Sequence, residues 1–173
     1  MKRLTTLGLA VFCVAAMAVN AAEVPSVNTV GYVKLTVAQN INQFAFNWEV
    51  IGGAQEISVQ DLFDTDLLVG SANFFTSDRI MIWDPTLNAG AGGYVQLWLF
   101  RAGYPEYDGK WIEGGNVSTK TIARGDGFWL KHLGDPVELV VSGQVPDSDD
   151  SFQIDFPVGL SMFGSGYTAD LNI

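Results

Sequence analysis

The fold is decided by residues 79–111, which read RIMIWDPTLNAGAGGYVQLWLFRAGYPEYDGKW. Three short apolar runs follow one another here, and each carries one of the chain's five tryptophans: Trp83, Trp98 and Trp111. Gly, Pro, Asn and Asp residues separate the runs, which is the pattern of neighbouring β-strands joined by turns. We expect these runs to form the centre of the core. Because residues 79–83 and 94–101 are largely apolar on both faces, we also expect both faces of these strands to be covered.

Further strands are predicted on either side of this block. Stretches rich in β-branched and aromatic residues, or with a period of two, indicate strands at Thr29–Val37, Gln43–Val50, Gly127–His132 and Val137–Ser142. The glycine, aspartate and proline at 134–136 predict that the last two strands form a hairpin.

Helical signals are weak. Ser58 and Asp61 fit the start of a short helix, and residues 57–59 fit a β-strand equally well. No apolar pattern with a helical period continues beyond two turns. The sequence therefore predicts an all-β fold, an antiparallel sandwich or partly closed barrel with at most one or two short helices.

The chain divides into three parts. Residues 1–21 have the features of an export signal: basic Lys2 and Arg3, a short apolar run, and small side chains before a cleavage site after Ala21. Residues 22–146 are predicted to form a β-domain. Residues 147–173 are interpreted as an acidic turn and the start of a second, truncated β-module. We expect an exported protein, periplasmic, cell-surface or extracellular, with no membrane span once the signal is removed.

Charge and cysteine content exclude several classes of function. The whole chain has a net charge of −10, which becomes −12 when Lys2 and Arg3 leave with the signal. Such a protein repels phosphate backbones, so we expect no nucleic-acid partner. The single cysteine, Cys13, lies in the signal. Disulfides, thiolate metal sites and a cysteine nucleophile are therefore excluded from the exported chain.

No catalytic residue is predicted. His132, the one histidine, flanks a turn and is expected at the surface, and no nucleophile motif accompanies it. A glycan-active enzyme would need two carboxylates facing each other in a cleft, and acidic residues near aromatics are numerous enough to occur by chance. The sequence predicts a non-enzymatic protein without a cofactor.

One candidate metal site lies in the acidic turn. Clustered carboxylates are the oxygen ligands that calcium favours, and this cluster consists of Asp147, Asp149, Asp150 and Asp155. A solvated turn explains the same residues, because the glycine and terminal glutamate of the best-known calcium loop are absent.

Aromatic residues form the candidate ligand site. Trp98, Tyr104, Tyr107 and Trp111 cluster around one predicted hairpin, and an exposed row of rings would stack on sugar. The alternative is that both tryptophans belong to the core, since aromatic residues dominate core burial. The two tyrosines lie on the turn and are the better candidates for exposure.

Five short motifs are spread over most of the chain beyond the signal. They are Thr29-Val30-Gly31-Tyr32, ISVQDLF (57–63), IWDP (82–85), GKW (109–111) and GDGFWL (125–130). With these motifs the chain resembles a group of uncharacterised secreted bacterial β-proteins. The resemblance implies a β-fold followed by a second related module, and it implies no activity.

Three functions remain in view. The first is a structural or surface-assembly role, with the chain pairing with itself through exposed β-edges. The second is a carbohydrate-binding module with an extracellular glycan as its partner, and the third is the glycan-active enzyme. Exposure of the aromatic row separates the first from the second.

Overall fold

The structure of the protein, a computed structural model, describes residues 30–145 and 161–164. Ten strands are present in this part of the chain: β1 Val30–Val37, β2 Asn40–Ala45, β3 Glu56–Ser58, β4 Arg79–Asp84, β5 Gly93–Phe100, β6 Lys110–Glu113, β7 Asn116–Val117, β8 Thr121–Ala123, β9 Gly127–His132 and β10 Val137–Gln144. The all-β prediction is confirmed. The sheets are not closed, so the arrangement is that of a sandwich.

In the part of the chain that the structure describes, helical structure is confined to single turns. Two 3-10 turns span Thr65–Leu67 and Phe74–Thr76. A third turn spans Leu87–Gly90, where Asn88 and Ala89 have positive φ, so this turn is not a regular right-handed helix. No helix among residues 30–145 and 161–164 has the length and apolar content to cross a membrane.

The largest sheet has six antiparallel strands in the order β2-β9-β4-β5-β6-β7. Its centre is the β4–β5 hairpin, whose register runs from Arg79 opposite Trp98 to Asp84 opposite Gly93. The first two apolar runs of the block at 79–111, β4 and β5, therefore form the middle of the six-stranded sheet, as the sequence predicts. The inner side chains of β5, including Leu97 and Leu99, are fully buried in the core.

A two-stranded ribbon of β1 and β10, with all eight residues of each strand paired, belongs to the second layer. Its inner face and the loop after β2 share one apolar core, to which Val37, Leu139, Phe46 and Trp48 contribute. A further short pair, β3 and β8, completes the described sheets. Residues 57–58 are thus a strand, which decides between the helix and the strand that the sequence left open.

The predicted hairpin of β9 and β10 is wrong. β9 lies between β2 and β4 in the six-stranded sheet, whereas β10 pairs with β1. The chain changes sheets at Leu133, whose amide donates to Asp78 Oδ1 over 2.8 Å and so fixes the end of β9 to the start of β4. The turn residues at 134–136 form a corner between two layers.

The predicted Gln43–Val50 strand is also corrected. β2 ends at Ala45, and the backbone then turns so that the Phe46 amide bonds to the Asp126 carbonyl. Phe46 and Trp48 are buried as the alternation suggested. They reach the core from a loop, which an apolar period of two cannot reveal.

The outer face of the six-stranded sheet is open where both faces were expected to be covered. On β5, Tyr94 and Gln96 are exposed, and Trp98 and Phe100 are half-buried. Among the described residues, the second layer lies on the inner face alone. Aromatic side chains on the outer face pack on one another, and this explains why an open face has an apolar sequence.

Candidate functional site

An open cleft of about 350 Å³ lies on the outer face at the end of β5. Ring faces form most of its wall, with one carboxylate at the side. The side chains that line it are Trp98, Phe100, Tyr104, Glu106, Tyr107 and Ile112. We call this group the aromatic cleft. Its volume lies within the range of small-ligand sites, roughly 300–1,000 Å³.

Strand register places the floor of the aromatic cleft. Trp98 and Phe100 are two residues apart on β5 and so share its outer face. Ile112 of β6 lies directly opposite Trp98. The tyrosines come from the loop between β5 and β6, which returns over the outer face.

Local hydrogen bonds shape that loop. The amides of Tyr107 and Asp108 both donate to the Tyr104 carbonyl, over 2.9 and 2.8 Å. Asp108 Oδ1 accepts from the amides of Ala102 and Gly103, over 2.8 and 2.9 Å. These two bonds, that of Gly103 first, hold the pKa of the Asp108 carboxyl below its usual value of 3.8. Asp108 is therefore the residue that fixes the turn beneath the tyrosines.

Ring contacts fix the aromatic side chains. The Phe100 ring centroid lies 6.2 Å from that of Tyr104 and 6.0 Å from that of Tyr107. The ring centroids of Trp98 and Phe74 lie 5.7 Å apart in an edge-to-face contact. The Arg79 guanidinium carbon lies 4.5 Å from the Phe74 ring centroid, over the face of that ring. Such tilted pairs are the preferred aromatic geometry. The cleft wall is held in place by packing.

Three of the four predicted stacking residues meet in the aromatic cleft. Tyr104 is 58% exposed, and Tyr107 and Trp98 are half-buried. Trp111 does not join them, because it is fully buried, with no face open to a ligand. Trp111 lies opposite Leu99, so it points inward, whereas Ile112 takes the outward position.

Phe100, Glu106 and Ile112 are part of the cleft and were not among the predicted stacking residues. Phe100 shares its strand parity with Trp98, and Glu106 lies between the two tyrosines, so both could have been found. Ile112 could not, because its orientation depends on the register of β6 against β5. A change of one residue in that register would exchange Ile112 and Trp111.

A second aromatic group occupies the other end of the outer face. Trp83 and Tyr94 are cross-strand neighbours with ring centroids 5.1 Å apart. Trp129 Nε1 donates to the Tyr94 hydroxyl over 3.2 Å. Cross-strand aromatic pairs of this kind stabilise a sheet. The hydroxyl and indole are engaged with each other, so this group is explained by sheet packing.

His132 is buried, which corrects the expected surface position. Its Nδ1 lies 2.7 Å from Asp78 Oδ2, and its Nε2 lies 2.8 Å from the Asp135 carbonyl. Both ring nitrogens thus lie within hydrogen-bond distance of an oxygen. Both side chains are almost fully inaccessible. The pair joins β4 to the corner after β9 and has no open side for a substrate.

Two acidic residues away from the cleft, Glu49 and Asp126, are partly or fully enclosed by the fold. Glu49 Oε1 accepts from Arg124 Nη1 over 2.9 Å in a buried ion pair. Burial raises the pKa of Asp126, and the negative charge of nearby Glu56 adds to the effect. None of these acidic residues lines the aromatic cleft. Within the described residues, Glu106 is the one carboxylate that does.

The candidate calcium ligands Asp147, Asp149, Asp150 and Asp155 lie outside the described residues, as does the predicted signal at 1–21. In residues 30–145 and 161–164, no three His, Cys, Asp or Glu side chains are grouped in a way that could hold a metal ion.

Comparison with known proteins adds no relative to this picture. No family model, no curated protein and no solved structure matches the chain.

Proposed function

We propose that this chain is an exported, non-enzymatic β-module with a structural role in surface assembly, and that copies of it pair through the free edge of β1. The observation that carries the proposal is an eight-residue strand paired on one side only, within the part of the chain that the structure describes. Unpaired N–H and C=O groups along such an edge are a template for another strand.

The side chains of β1 offer little protection against pairing. Natural edge strands are usually guarded by charged residues, bulges or proline. The sequence of β1, VGYVKLTV, has one charge, and Lys34 is already paired with Glu138 on β10 at 3.3 Å. Val30 and Tyr32 are exposed beside it. An added strand would cover apolar surface and meet no repelling charge.

A crevice next to β1 also supports the addition of a strand at this edge. It has a volume of about 120 Å³, and Val33, Leu35 and Val141 line its ribbon side. The Val33 side chain lies on the core-facing side of β1 and is nevertheless 37% exposed. A strand added beside β1 would bury Val33 and close the crevice, which is favourable at about 25 cal/mol per Å² of apolar surface.

Other edges are less suited to pairing. β3 and β8 have three residues each and β7 has two. The start of β2 is occupied by Asn42, whose amide side chain bonds to both backbone groups of Ala38. β10 is connected at its end to Glu49 by two backbone bonds to Gln144. β1 is therefore the edge on which we place assembly.

A non-enzymatic role has its own support. Both ring nitrogens of His132 face oxygens of neighbouring residues, and the buried ring is closed off from a substrate. The aromatic cleft has one carboxylate, whereas glycoside hydrolysis uses two. Export is supported by the basic and apolar features of residues 1–21.

Electron microscopy of the purified chain without residues 1–21, over a range of concentrations and with and without calcium, tests the proposal. We expect ordered filaments, tubes or sheets from the wild type. Val33→Lys places a positive charge at the free edge of β1. In the monomer the long lysine side chain can still reach water, so the fold should be retained. Because a charge on an edge strand opposes the addition of another strand, we expect this substitution to prevent assembly.

Phe75→Lys is the matched control, because Phe75 is 76% exposed and lies on the Phe74–Thr76 turn, which is not part of the β1 edge. It introduces the same charge and should leave assembly intact. Wild-type monomers at all concentrations would refute the proposal, and so would equal assembly of the Val33→Lys and Phe75→Lys variants.

A further inference from the structure

The aromatic cleft is separate from the assembly edge. It lies on the outer face of the six-stranded sheet, and none of its lining residues also lines the crevice beside β1. A ligand bound there would leave β1 open. The assembly role therefore does not account for the cleft.

The backbone of β5 and several amides of the tyrosine loop are already hydrogen-bonded. β5 is paired with β4 on one side and with β6 on the other. In the loop, the amides of Tyr107, Asp108 and Gly109 already donate to carbonyls of Tyr104 and Phe100. A peptide strand would find no ladder to join. Recognition must use ring faces and side-chain polar atoms.

Exposed ring faces with polar atoms at their edges match the chemistry of a sugar. A pyranose has an apolar C–H face that stacks on an aromatic ring, and hydroxyls around its rim. The cleft offers the faces of Tyr104 and Tyr107 with their phenol hydroxyls, and Glu106 beside them. A carboxylate accepts strong hydrogen bonds from hydroxyl groups. The two kinds of contact occur side by side, as a sugar ring requires.

Charge selects among sugars. Glu106 is the charged side chain that lines the cleft, and the whole chain has a net charge of −10. An anionic sugar such as a uronate would be repelled both locally and at long range. A neutral sugar meets no such penalty.

We propose that the aromatic cleft binds a neutral polysaccharide, with a sugar ring stacked on Tyr104 and bordered by Tyr107 and Glu106. Trp98 and Phe100 form the floor that fixes the tyrosines. This binding goes beyond the assembly role and does not depend on it. An assembled layer with this site would adhere to a glycan-coated surface.

Affinity electrophoresis and calorimetry with soluble neutral polysaccharides (a β-glucan, a xylan and a mannan), beside polygalacturonate, test the proposal. We expect the full exported chain to bind at least one neutral polymer more tightly than polygalacturonate. Tyr104→Ala should weaken this binding at least about tenfold, as for an aromatic hot spot. Tyr104→Phe retains the ring and should keep most of the affinity.

Two further variants sharpen the test. Tyr32→Ala removes a tyrosine that is 71% exposed on β1, far from the cleft in the fold, and should leave binding unchanged. Glu106→Gln removes the charge and should narrow the gap between neutral polymers and polygalacturonate. Thermal unfolding of each variant checks that the fold is retained.

Several results would overturn the proposal: no binding to any of the three neutral polymers, equal binding by Tyr104→Ala and Tyr32→Ala, or preference for polygalacturonate. Binding of a proline-rich peptide in place of the polysaccharides would also overturn it. Val33→Lys separates this proposal from the assembly role, because that variant should lose assembly and keep glycan binding.

Discussion

At the scale of single residues, the buried polar contacts of Asp78 hold the start of β4 to the end of β9 and to the loop at Val69. Asp78 accepts from His132 Nδ1 and from the amides of Val69 and Leu133. Three groups from two separate segments thus depend on one carboxylate that is fully inaccessible. If Asp78 were removed, these buried groups would lose their hydrogen bonds to the carboxylate.

Asp78→Ala should lower the free energy of unfolding by about 3–5 kcal/mol, the usual cost of removing one partner of a buried pair. Urea denaturation followed by tryptophan fluorescence measures this. Glu138→Ala is the control, because it breaks the exposed pair with Lys34 and should cost no more than about 1 kcal/mol. Equal effects of the two substitutions would contradict the structural role of Asp78.

Two aspartates should titrate on opposite sides of their common reference value. Amide donors lower the pKa of Asp108 below 3.8, so its contribution to stability is present above that value and is lost as the pH falls through the lowered pKa. Burial raises the pKa of Asp126, so its contribution is present below 3.8 and is lost as the pH rises through the raised pKa.

NMR titration measures both. We expect the amide protons of Ala102 and Gly103 to shift with a midpoint below 3.8, and the side chain of Asp126 to titrate above it. Asp108→Asn should abolish the shift at Gly103 and loosen the tyrosine loop. A Gly103 midpoint at or above 3.8 would contradict the role of Asp108 in the turn.

At the scale of elements, two glycines let the β1–β10 ribbon approach the core. Gly31 and Gly143 are directly opposite each other in the ribbon, and Trp48 lies against both. A Cβ atom on Gly143 would lie 2.5 Å from Trp48 Cβ and 2.8 Å from the Glu49 carbonyl oxygen. Any larger side chain there must displace the ribbon or the tryptophan.

Gly143→Ala should therefore destabilise the protein by about 1–3 kcal/mol, the usual cost of overpacking. Ser142→Ala changes the exposed neighbour on the same strand and should stay within about 0.5 kcal/mol of the wild type. Urea unfolding of both variants tests this. Unchanged stability of Gly143→Ala would show that the ribbon does not depend on this close contact.

Sequence patterns predicted the strands better than they predicted which strands pair with each other. The β4–β5 block could be identified because apolar runs and turn residues are local signals, and the structure confirms it. The β9–β10 hairpin was wrong because a turn signal does not show whether the next strand stays in the same sheet. The position of Trp111 depended on the β5–β6 register, which is a property of two strands together.

At the scale of the whole molecule, the two layers are unequal. Within residues 30–145 and 161–164, six strands form one sheet, and the facing ribbon has two. The smaller layer leaves β1 as a long edge with an apolar crevice beside it, and the larger sheet leaves its outer face to aromatic side chains. Export and surface assembly stay predictions, because they concern the contacts of the chain with other molecules. The resemblance to secreted β-proteins also stays a prediction.

Assembly should depend on ionic strength in a direction that the net charge sets. Copies of the chain without residues 1–21, each with a net charge of −12, repel one another at low salt. At about 0.15 M salt the screening length is roughly 8 Å, so repulsion between exposed charges is largely removed. Light scattering should therefore show assembly increasing from low to moderate salt. A decrease over the same range would indicate ionic contacts between copies, contrary to an apolar edge.

Hydrogen exchange of the backbone amides in β1, followed as protein concentration rises, tests edge assembly most directly. We expect protection of residues 30–37 to increase as copies pair, while residues 40–45 on the β2 edge stay unchanged. Val33→Lys should abolish the increase and Phe75→Lys should preserve it. Protection at 30–37 that does not change with concentration, or that increases at 40–45 instead, would contradict assembly through β1.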